Sequence, residues 1–196
     1  MVSMSKIFIA IFVFFCFACS SIVQAEETKN QINNLIGSYS IFLGNKKFNN
    51  DWTDINATEI GLKFDGRMPS WPVGLAVDIL NARPSNKNTS EFNVGIRAST
   101  YIDVPFTSGI AVPLTFFAGS GVSFVKASSK SIEILRNAPA KSDTGTGPWF
   151  DAGIAMYYGY FSMGFEAIYS SAKVNFNGNN YNAGGNHFGC FIRFNW

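Results

Sequence analysis

Apolar and polar side chains alternate strictly along short segments of this sequence, and this alternation limits its fold more than any other feature. In the segment FNVGIRAS, the apolar residues Phe92, Val94 and Ile96 share one face. Asn93 and Arg97 share the other face. Successive side chains of a β-strand point to opposite faces, so each such segment predicts a strand with one apolar face. Clusters of Gly, Asn, Ser and Asp separate the segments and favour turns. The sequence therefore predicts an all-β fold.

Eight segments of this kind follow one another between Leu35 and Trp196, and the links between them alternate in length. The long links are expected at Asn45–Asn56, Asn81–Ser90, Ala127–Gly147 and Asn175–Asn186. The short links are expected near Gly66, Asp103 and Gly159. An antiparallel up-and-down barrel gives this alternation when its two rims face different compartments. We therefore predict eight strands, with ten as the alternative count.

The polar faces of the segments distinguish a soluble barrel from a membrane barrel. A soluble barrel or sandwich is apolar inside, whereas a membrane barrel is apolar outside. Here the polar faces are rich in Gly and Ser, which suit the narrow interior of eight strands, and they carry single charges that could pair there. The predicted inward-facing charges are Glu59, Lys63, Asp78, Arg97, Asp151, Glu166 and Arg193.

Composition and aromatic positions also favour a membrane barrel. Charged residues make up only 14% of the chain, whereas about a quarter is usual in soluble domains. Aromatic residues near the predicted strand ends fit the interfacial girdles of such barrels. These residues are Tyr39, Trp71, Tyr101, Trp149, Tyr158, Tyr160, Tyr169 and Trp196. We predict a transmembrane β-barrel over residues 35–196, with a soluble secreted β-sandwich as the alternative.

The N-terminus has the pattern of a secretory signal peptide. Lys6 precedes the apolar stretch Ile7–Cys19, and Val23-Gln24-Ala25 has the small residues of a cleavage site. We expect a cleaved signal peptide at residues 1–25 and a periplasmic tail at residues 26–34. An uncleaved anchor and lipoprotein processing at Cys19 are the alternatives. After cleavage at Ala25, Cys190 would be the only cysteine left, so no internal disulfide is expected.

Three stretches resemble the small outer-membrane β-barrel superfamily, which includes the transmembrane domain of outer-membrane protein A, outer-membrane protein X, the Ail-type proteins and the opacity proteins. They are the run AGSGVS at 118–123, FSMGFE at 161–166 and the ending FGCFIRFNW at 188–196. The resemblance implies a bacterial outer-membrane location, with outer-membrane lipid and lipopolysaccharide around the barrel. It also implies that the ending, through Phe188, Ile192, Phe194 and Trp196, is a signal for the barrel assembly machinery. The ending departs from the family pattern in two ways. Its last residue is Trp rather than the commoner Phe, and Gly189 lies two positions before the usual glycine.

The sequence predicts no catalytic, cofactor or metal site. The only histidine, His187, points inward by its parity, whereas barrel-type lipid A deacylases carry a serine two residues after their histidine. Gly189 stands at that place here, and a serine nucleophile needs a neighbouring base. The net charge of +2 gives no support for a nucleic-acid partner.

Two kinds of non-enzymatic role are open to such a barrel. An eight-stranded barrel is filled by its own side chains, so a small porin-like channel is the less favoured alternative. The resemblance implies that the long loops bind an extracellular ligand. We therefore expect a structural or surface-interaction protein that displays loops, with a lipid A-modifying enzyme as a further, weaker alternative.

Overall fold

The computed structural model describes residues 36–48, 56–69, 71–84, 87–107, 110–129, 141–176 and 178–196, and all regular structure in them is β. The strands are β1 (Gly37–Phe48), β2 (Ala57–Gly66), β3 (Val73–Ala82), β4 (Lys87–Thr107), β5 (Ile110–Ser129), β6 (Lys141–Tyr158), β7 (Phe161–Ser170), β8 (Lys173–Phe176), β9 (Asn179–Asn182) and β10 (Gly185–Asn195). No helix in these ranges is long and apolar enough to cross a membrane.

Eight of the strands close into one antiparallel barrel in the order β1-β10-β7-β6-β5-β4-β3-β2. The ring closes through β1 and β10, which pair from Ser38 with Asn195 to Phe48 with Gly185. The start of β1 and the end of β10 therefore lie at one rim, the terminal rim, which also carries the turn between β6 and β7. Gly159 begins that turn with a φ of 59°, a conformation that glycine adopts without strain. We call the opposite rim the loop rim.

The outer surface of the barrel is apolar. Large hydrophobic side chains stand exposed on every strand of the ring, for example Leu75 at 68% and Phe188 at 64% exposure. Soluble proteins rarely expose a continuous apolar surface of this kind. Above this belt, at the loop rim, the outward side chains become polar, as at Asn45, Thr58 and Lys126. The prediction of an eight-stranded transmembrane barrel is confirmed, and the ten-stranded alternative fails because β8 and β9 form a separate hairpin.

The strands are longer than predicted at the loop rim. β1 continues to Phe48, β4 begins at Lys87, and β5 and β6 remain paired as far as Ser129 and Lys141. The predicted loop boundaries at these four places are wrong, because polar residues continue the alternation and the pairing. The fourth predicted link, 175–186, is also wrong in part, since it contains β9 and the start of β10. Residues 49–55 and 130–140, in the predicted long links, lie outside the described residues.

The predicted short link near Asp103 is also wrong. Asp103 lies inside β4, where it pairs with Pro113 of β5 and accepts a hydrogen bond from the Tyr101 hydroxyl. β5 accordingly begins at Ile110. Pro113 is tolerated because β5 pairs with β6 only from Leu114 onward, so no ladder on that side needs its missing N–H.

The hairpin β8–β9 and the neighbouring strand ends enclose an apolar cluster at the loop rim, which we call the apolar cap. Its buried members are Phe48, Ala57, Ala82, Val125, Ala127, Ala172, Val174 and Ala183. β8 lies close against β6, where added Cβ atoms on Gly145 and Gly147 would meet the carbonyl oxygens of Lys173 and Ser171. The cap covers the loop-rim end of the barrel interior, the lumen.

The predicted signal peptide (residues 1–25), the tail (26–34) and the alternative processing at Cys19 lie outside the described residues. Leu35, where the barrel was expected to begin, does too, and the first described strand begins at Gly37.

Candidate functional site: the lumen and the loop rim

All seven predicted inward-facing charges lie in the lumen, with exposed fractions of 0–6%. They are Glu59, Lys63, Asp78, Arg97, Asp151, Glu166 and Arg193. The alternation along each strand aims them inward, and the closed ring removes them from water. A charge buried in this way is stable only when a partner of opposite charge and hydrogen bonds compensate for the lost hydration. The lumen provides these through two networks.

The central network is organised by Arg97. Its Nε donates to Asp151 Oδ2 at 2.9 Å, and its Nη2 lies 3.2 Å from Asp78 Oδ2 and 3.5 Å from Glu166 Oε1. Its Nη1 donates to Asp65. Arg97 therefore joins carboxylates from four other strands, and its guanidinium also lies 5.9 Å from the ring of Trp149. A planar guanidinium with five donors suits this task better than an ammonium group.

Lys63 supplies the second cation of the central network. Its Nζ lies 3.2 Å from Asp78 Oδ2 and also binds Glu166. Arg193 adds a third, more distant cation, with Nη2 3.5 Å from Asp65 Oδ2. The central network thus contains four carboxylates and three cations, all held by strands of the ring.

Asp78, Asp151 and Glu166 are close enough to share a metal ion, since one ligand oxygen from each lies within 4.8 Å of the others. Sequence spacing did not indicate this group because the three residues come from three different strands. Lys63 and Arg97 contact these same carboxylates, so protein cations already neutralise them. The arrangement is therefore that of an ion-pair network.

The upper network lies beneath the apolar cap and is centred on His187. His187 Nδ1 lies 2.7 Å from Glu59 Oε2, and its Nε2 lies 3.3 Å from Ser170 Oγ and 3.5 Å from Glu91 Oε1. Lys46 binds Glu91 and donates to the carbonyl oxygen of Ala183 at 3.2 Å. The last contact ties the upper network to the segment that leads from β9 into β10.

Three charged members of these networks, Lys46, Asp65 and Glu91, were not among the predicted inward charges. Lys46 was assigned to a loop, Glu91 was left between the predicted link and the strand that follows it, and Asp65 was not counted among the inward charges. The signal was present, because Lys46 has the parity of the inward residue Phe42 and Glu91 has that of Asn93. The predicted strands ended at the first cluster of polar residues, so the inward parity of Lys46 and Glu91 was not used.

Ser170, His187 and Glu59 stand in the order of a hydrolase triad, with a hydroxyl on one imidazole nitrogen and a carboxylate on the other. Two features oppose that use. The Ser170 hydroxyl also donates to Glu91 Oε1 at 3.2 Å, and Ser170, His187 and Glu59 are all at least 99% buried. Lys46 also binds Glu91, so this carboxylate, like the Ser170 hydroxyl, is already engaged within the upper network.

Two residues predicted for the aromatic girdle lie inside the barrel instead. Trp149 is fully buried, and its Nε1 donates to the Val94 carbonyl at 3.2 Å. Tyr101 packs against the buried cluster that includes Phe117 and Phe191. Parity explains both corrections, since Trp149 alternates with the outward Phe150. The described girdle residues Tyr39, Trp71, Tyr158, Tyr160, Tyr169 and Trp196 are exposed.

The predicted assembly signal lies on the outward face of β10 and at the chain end. Phe188, Ile192 and Trp196 are 64%, 58% and 47% exposed, and Phe194 is half-buried. The Tyr39 and Trp196 rings lie 5.7 Å apart. Recognition of these residues by the barrel assembly machinery stays a prediction.

The loop rim is basic. Lys47, Arg83, Lys126 and Lys173 are exposed there, and Lys87 is half-buried. Among the described loop-rim residues outside the lumen, Asp143 is the only acid, and it accepts a hydrogen bond from the Asn175 backbone.

No family model and no curated protein matches the sequence. Solved structures do match. Neisserial surface protein A aligns with a TM-score of 0.53 and 15% identity over 83% of this chain and 96% of that chain. Ail, the attachment invasion locus protein of Yersinia pestis, solved in complex with the heparin analogue sucrose octasulfate, aligns with a TM-score of 0.56 and 15% identity over 82% of this chain and 99% of that chain. The chain has the fold of the small outer-membrane β-barrels.

The small-barrel fold accounts for the distribution of polar and apolar residues. Its lipid-facing belt is apolar, and its narrow interior is filled by small residues and paired charges. The predicted resemblance and the predicted outer-membrane location agree with this fold.

Proposed function

We propose that this protein is a surface-interaction barrel of a bacterial outer membrane, and that its loop rim binds a polyanionic ligand outside the cell. The observation that carries the proposal is the concentration of exposed cations at the loop rim of a barrel whose lumen is closed. In outer-membrane barrels the short turns face the periplasm and the longer connections face outward. The loop rim is therefore the extracellular one.

The closed lumen favours a role in ligand binding at the loop rim over a role as a channel for ions or solutes. Buried charges of both signs bind one another across the interior, and the apolar cap covers the loop-rim end. An ion or solute would have to pass among these pairs, and leaving one buried charge without its partner costs about 3–5 kcal/mol. The interior therefore stabilises the barrel, and its function lies at the surface.

The projecting part of the loop rim provides a surface for binding. β5 and β6 continue beyond the apolar belt, where the outward residues change from Phe124 to Lys126 and from Phe150 to Thr146. The hairpin β8–β9 packs against this extension and carries Lys173. A rigid, paired scaffold that presents lysines can bind a polyanion with little loss of loop entropy. Ail, which shares the fold, has been solved with a sulfated sugar.

The test is binding of sucrose octasulfate to the folded barrel and to the double variant K126Q/K173Q. Because measured exposed ion pairs contribute roughly 0.2–1 kcal/mol each, the double variant should weaken binding by about 2- to 30-fold. Binding to the unaltered barrel should also weaken as salt rises, because exposed charges are screened. The variant R67Q, at the terminal rim, is the control and should bind as the unaltered barrel does. Equal binding by all three proteins would contradict the proposal.

A hydrolase is a second candidate, and only the Ser170–His187–Glu59 arrangement favours it. We propose instead that the protein is not an enzyme and that S170A leaves any measured ester hydrolysis unchanged. Soluble nitrophenyl esters and phospholipid vesicles are suitable substrates. Removal of a nucleophile would lower the hydrolysis rate at least about a hundredfold. A rate that exceeds background and falls this far in S170A would show that the protein is a hydrolase rather than a surface-interaction barrel.

A further inference from the structure

A small cavity opens at the terminal rim, on the opposite side of the barrel from the proposed ligand surface. Its volume is about 60 Å³, and its polar lining includes Ser38, Asp65, Arg67, Arg97, Thr115 and Arg193. One water occupies roughly 10–15 Å³ of such a cavity. The cavity therefore has room for a group of about five heavy atoms, such as a phosphate.

Arg193 lies in this cavity with donors that no described residue accepts. It is only 6% exposed, yet its Nε and Nη2 make no hydrogen bond within the described chain. Its guanidinium is held between Phe191 and Phe117, at 4.7 Å and 5.3 Å from their ring centroids. The nearest carboxylate is Asp65, at 3.5 Å from Nη2. Buried donors without acceptors are costly, and Arg193 holds two such donors, Nε and Nη2, that no described residue accepts.

The other groups on the cavity wall suit the same kind of partner. Arg67 adds one more guanidinium group, whereas the Arg97 guanidinium on the same wall is already bound by carboxylates; Asp65 is the only carboxylate among the lining residues. Asp65 is already bound by Arg97 and accepts a hydrogen bond from Ser38 at 3.3 Å. Thr115 is buried, and its hydroxyl has no hydrogen-bond partner among the described residues. Guanidinium groups bind phosphate and carboxylate oxygens in pairs, with charge-assisted hydrogen bonds.

We infer that this cavity is a binding site for a small oxyanion of the phosphate class, which enters from the periplasm and accepts hydrogen bonds from Arg193 and Thr115. Two sources could supply that chemistry at the terminal rim. One is a free phosphate, and the other is the headgroup of a phospholipid in the adjacent leaflet.

The experiment measures thermal unfolding of the full folded barrel in a sugar-based detergent that contains no phosphate. Inorganic phosphate is compared with chloride at equal ionic strength. Phosphate should raise the unfolding temperature in a saturable way, and R193Q should weaken the apparent affinity at least tenfold. K47Q removes one exposed cation at the loop rim and should respond to phosphate as the unaltered barrel does. No phosphate-specific shift, or the same shift in R193Q, would overturn the inference.

A second variant keeps the inference testable if R193Q does not fold. T115V removes a buried hydroxyl that has no partner in the described chain, so the barrel should remain folded and change its mobility on heating in a denaturing gel. Its affinity for phosphate should fall several-fold. An unchanged affinity in T115V, when R193Q cannot be measured, would count against the site.

Two further measurements identify the source. If a phospholipid headgroup is the natural occupant, glycerol phosphate should bind in detergent, and free phosphate should no longer bind once the barrel is placed in phospholipid nanodiscs. If the occupant is soluble, free phosphate should bind equally well in both settings. Either result upholds the oxyanion site, and binding of neither probe in detergent would reject it.

Discussion

Replacing Arg97 by methionine should cost the barrel about 3–5 kcal/mol of unfolding free energy, because the substitution leaves buried carboxylates without their main cation. Arg97 contacts Asp65, Asp78, Asp151 and Glu166, each from a different strand. Methionine fills much of the same volume, so the loss reports charge rather than packing. Lys63 and Arg193 cannot replace Arg97 at Asp151, since no ion pair joins them to that residue in the described structure.

Equilibrium unfolding in urea, with the barrel in lipid vesicles, measures this cost. A double-mutant cycle separates the ion pair from other effects of the substitution. D151N removes one of the uncompensated charges, so R97M/D151N should lose less stability than the two single variants together, by about 1–3 kcal/mol. R83M is the matched control at an exposed arginine, and its effect should stay within about 0.5 kcal/mol. A loss in R97M no larger than in R83M would show that the central network does not stabilise the barrel.

The alternation in the sequence was sufficient to predict the barrel, its strand number and the direction of most side chains. Alternation is a local property, so the sequence of each strand alone indicates which of its residues face inward and which face outward. This is why Lys63, Asp78 and Glu166 could be assigned to the interior from sequence. Their mutual contacts could not be predicted, because Lys63 and Glu166 are 103 residues apart and meet only when the ring closes.

The errors at the loop rim have a different physical cause. Polar residues were taken to end strands, but above the lipid belt a strand has polar residues on its outer face as well. Thr146 and Lys126 are outward residues of this kind. The upper network was not predicted for the same reason, since Lys46 was placed in a loop and Glu91 was left outside the predicted strand. The proximity of Ser170 to His187 depends on the register between β7 and β10, which no local pattern contains.

Substituting Gly121 by valine should destabilise the barrel by about 3 kcal/mol or more, because the site has no room for a side chain and its neighbours cannot relax. A Cβ on Gly121 would lie 2.6 Å from the Cα of Gly95 and 2.8 Å from Nε1 of the buried Trp149. It would also meet the carbonyl oxygen of Val94, which accepts the hydrogen bond from Trp149. The glycine therefore provides the space in which the indole packs inside the lumen.

Urea unfolding of G121V measures the loss, and G66V is the matched control, because a Cβ on Gly66 would meet nothing within 4 Å. G66V should lose less than about 1 kcal/mol. The double variant G121V/W149F tests the cause. Removing part of the indole should recover some of the lost stability. The clash with the strand backbone remains, so the double variant should still have a lower free energy of unfolding than W149F alone. If G121V is as stable as G66V, Trp149 does not need this glycine, and the tight approach of β4 and β5 does not limit which side chains the lumen can hold.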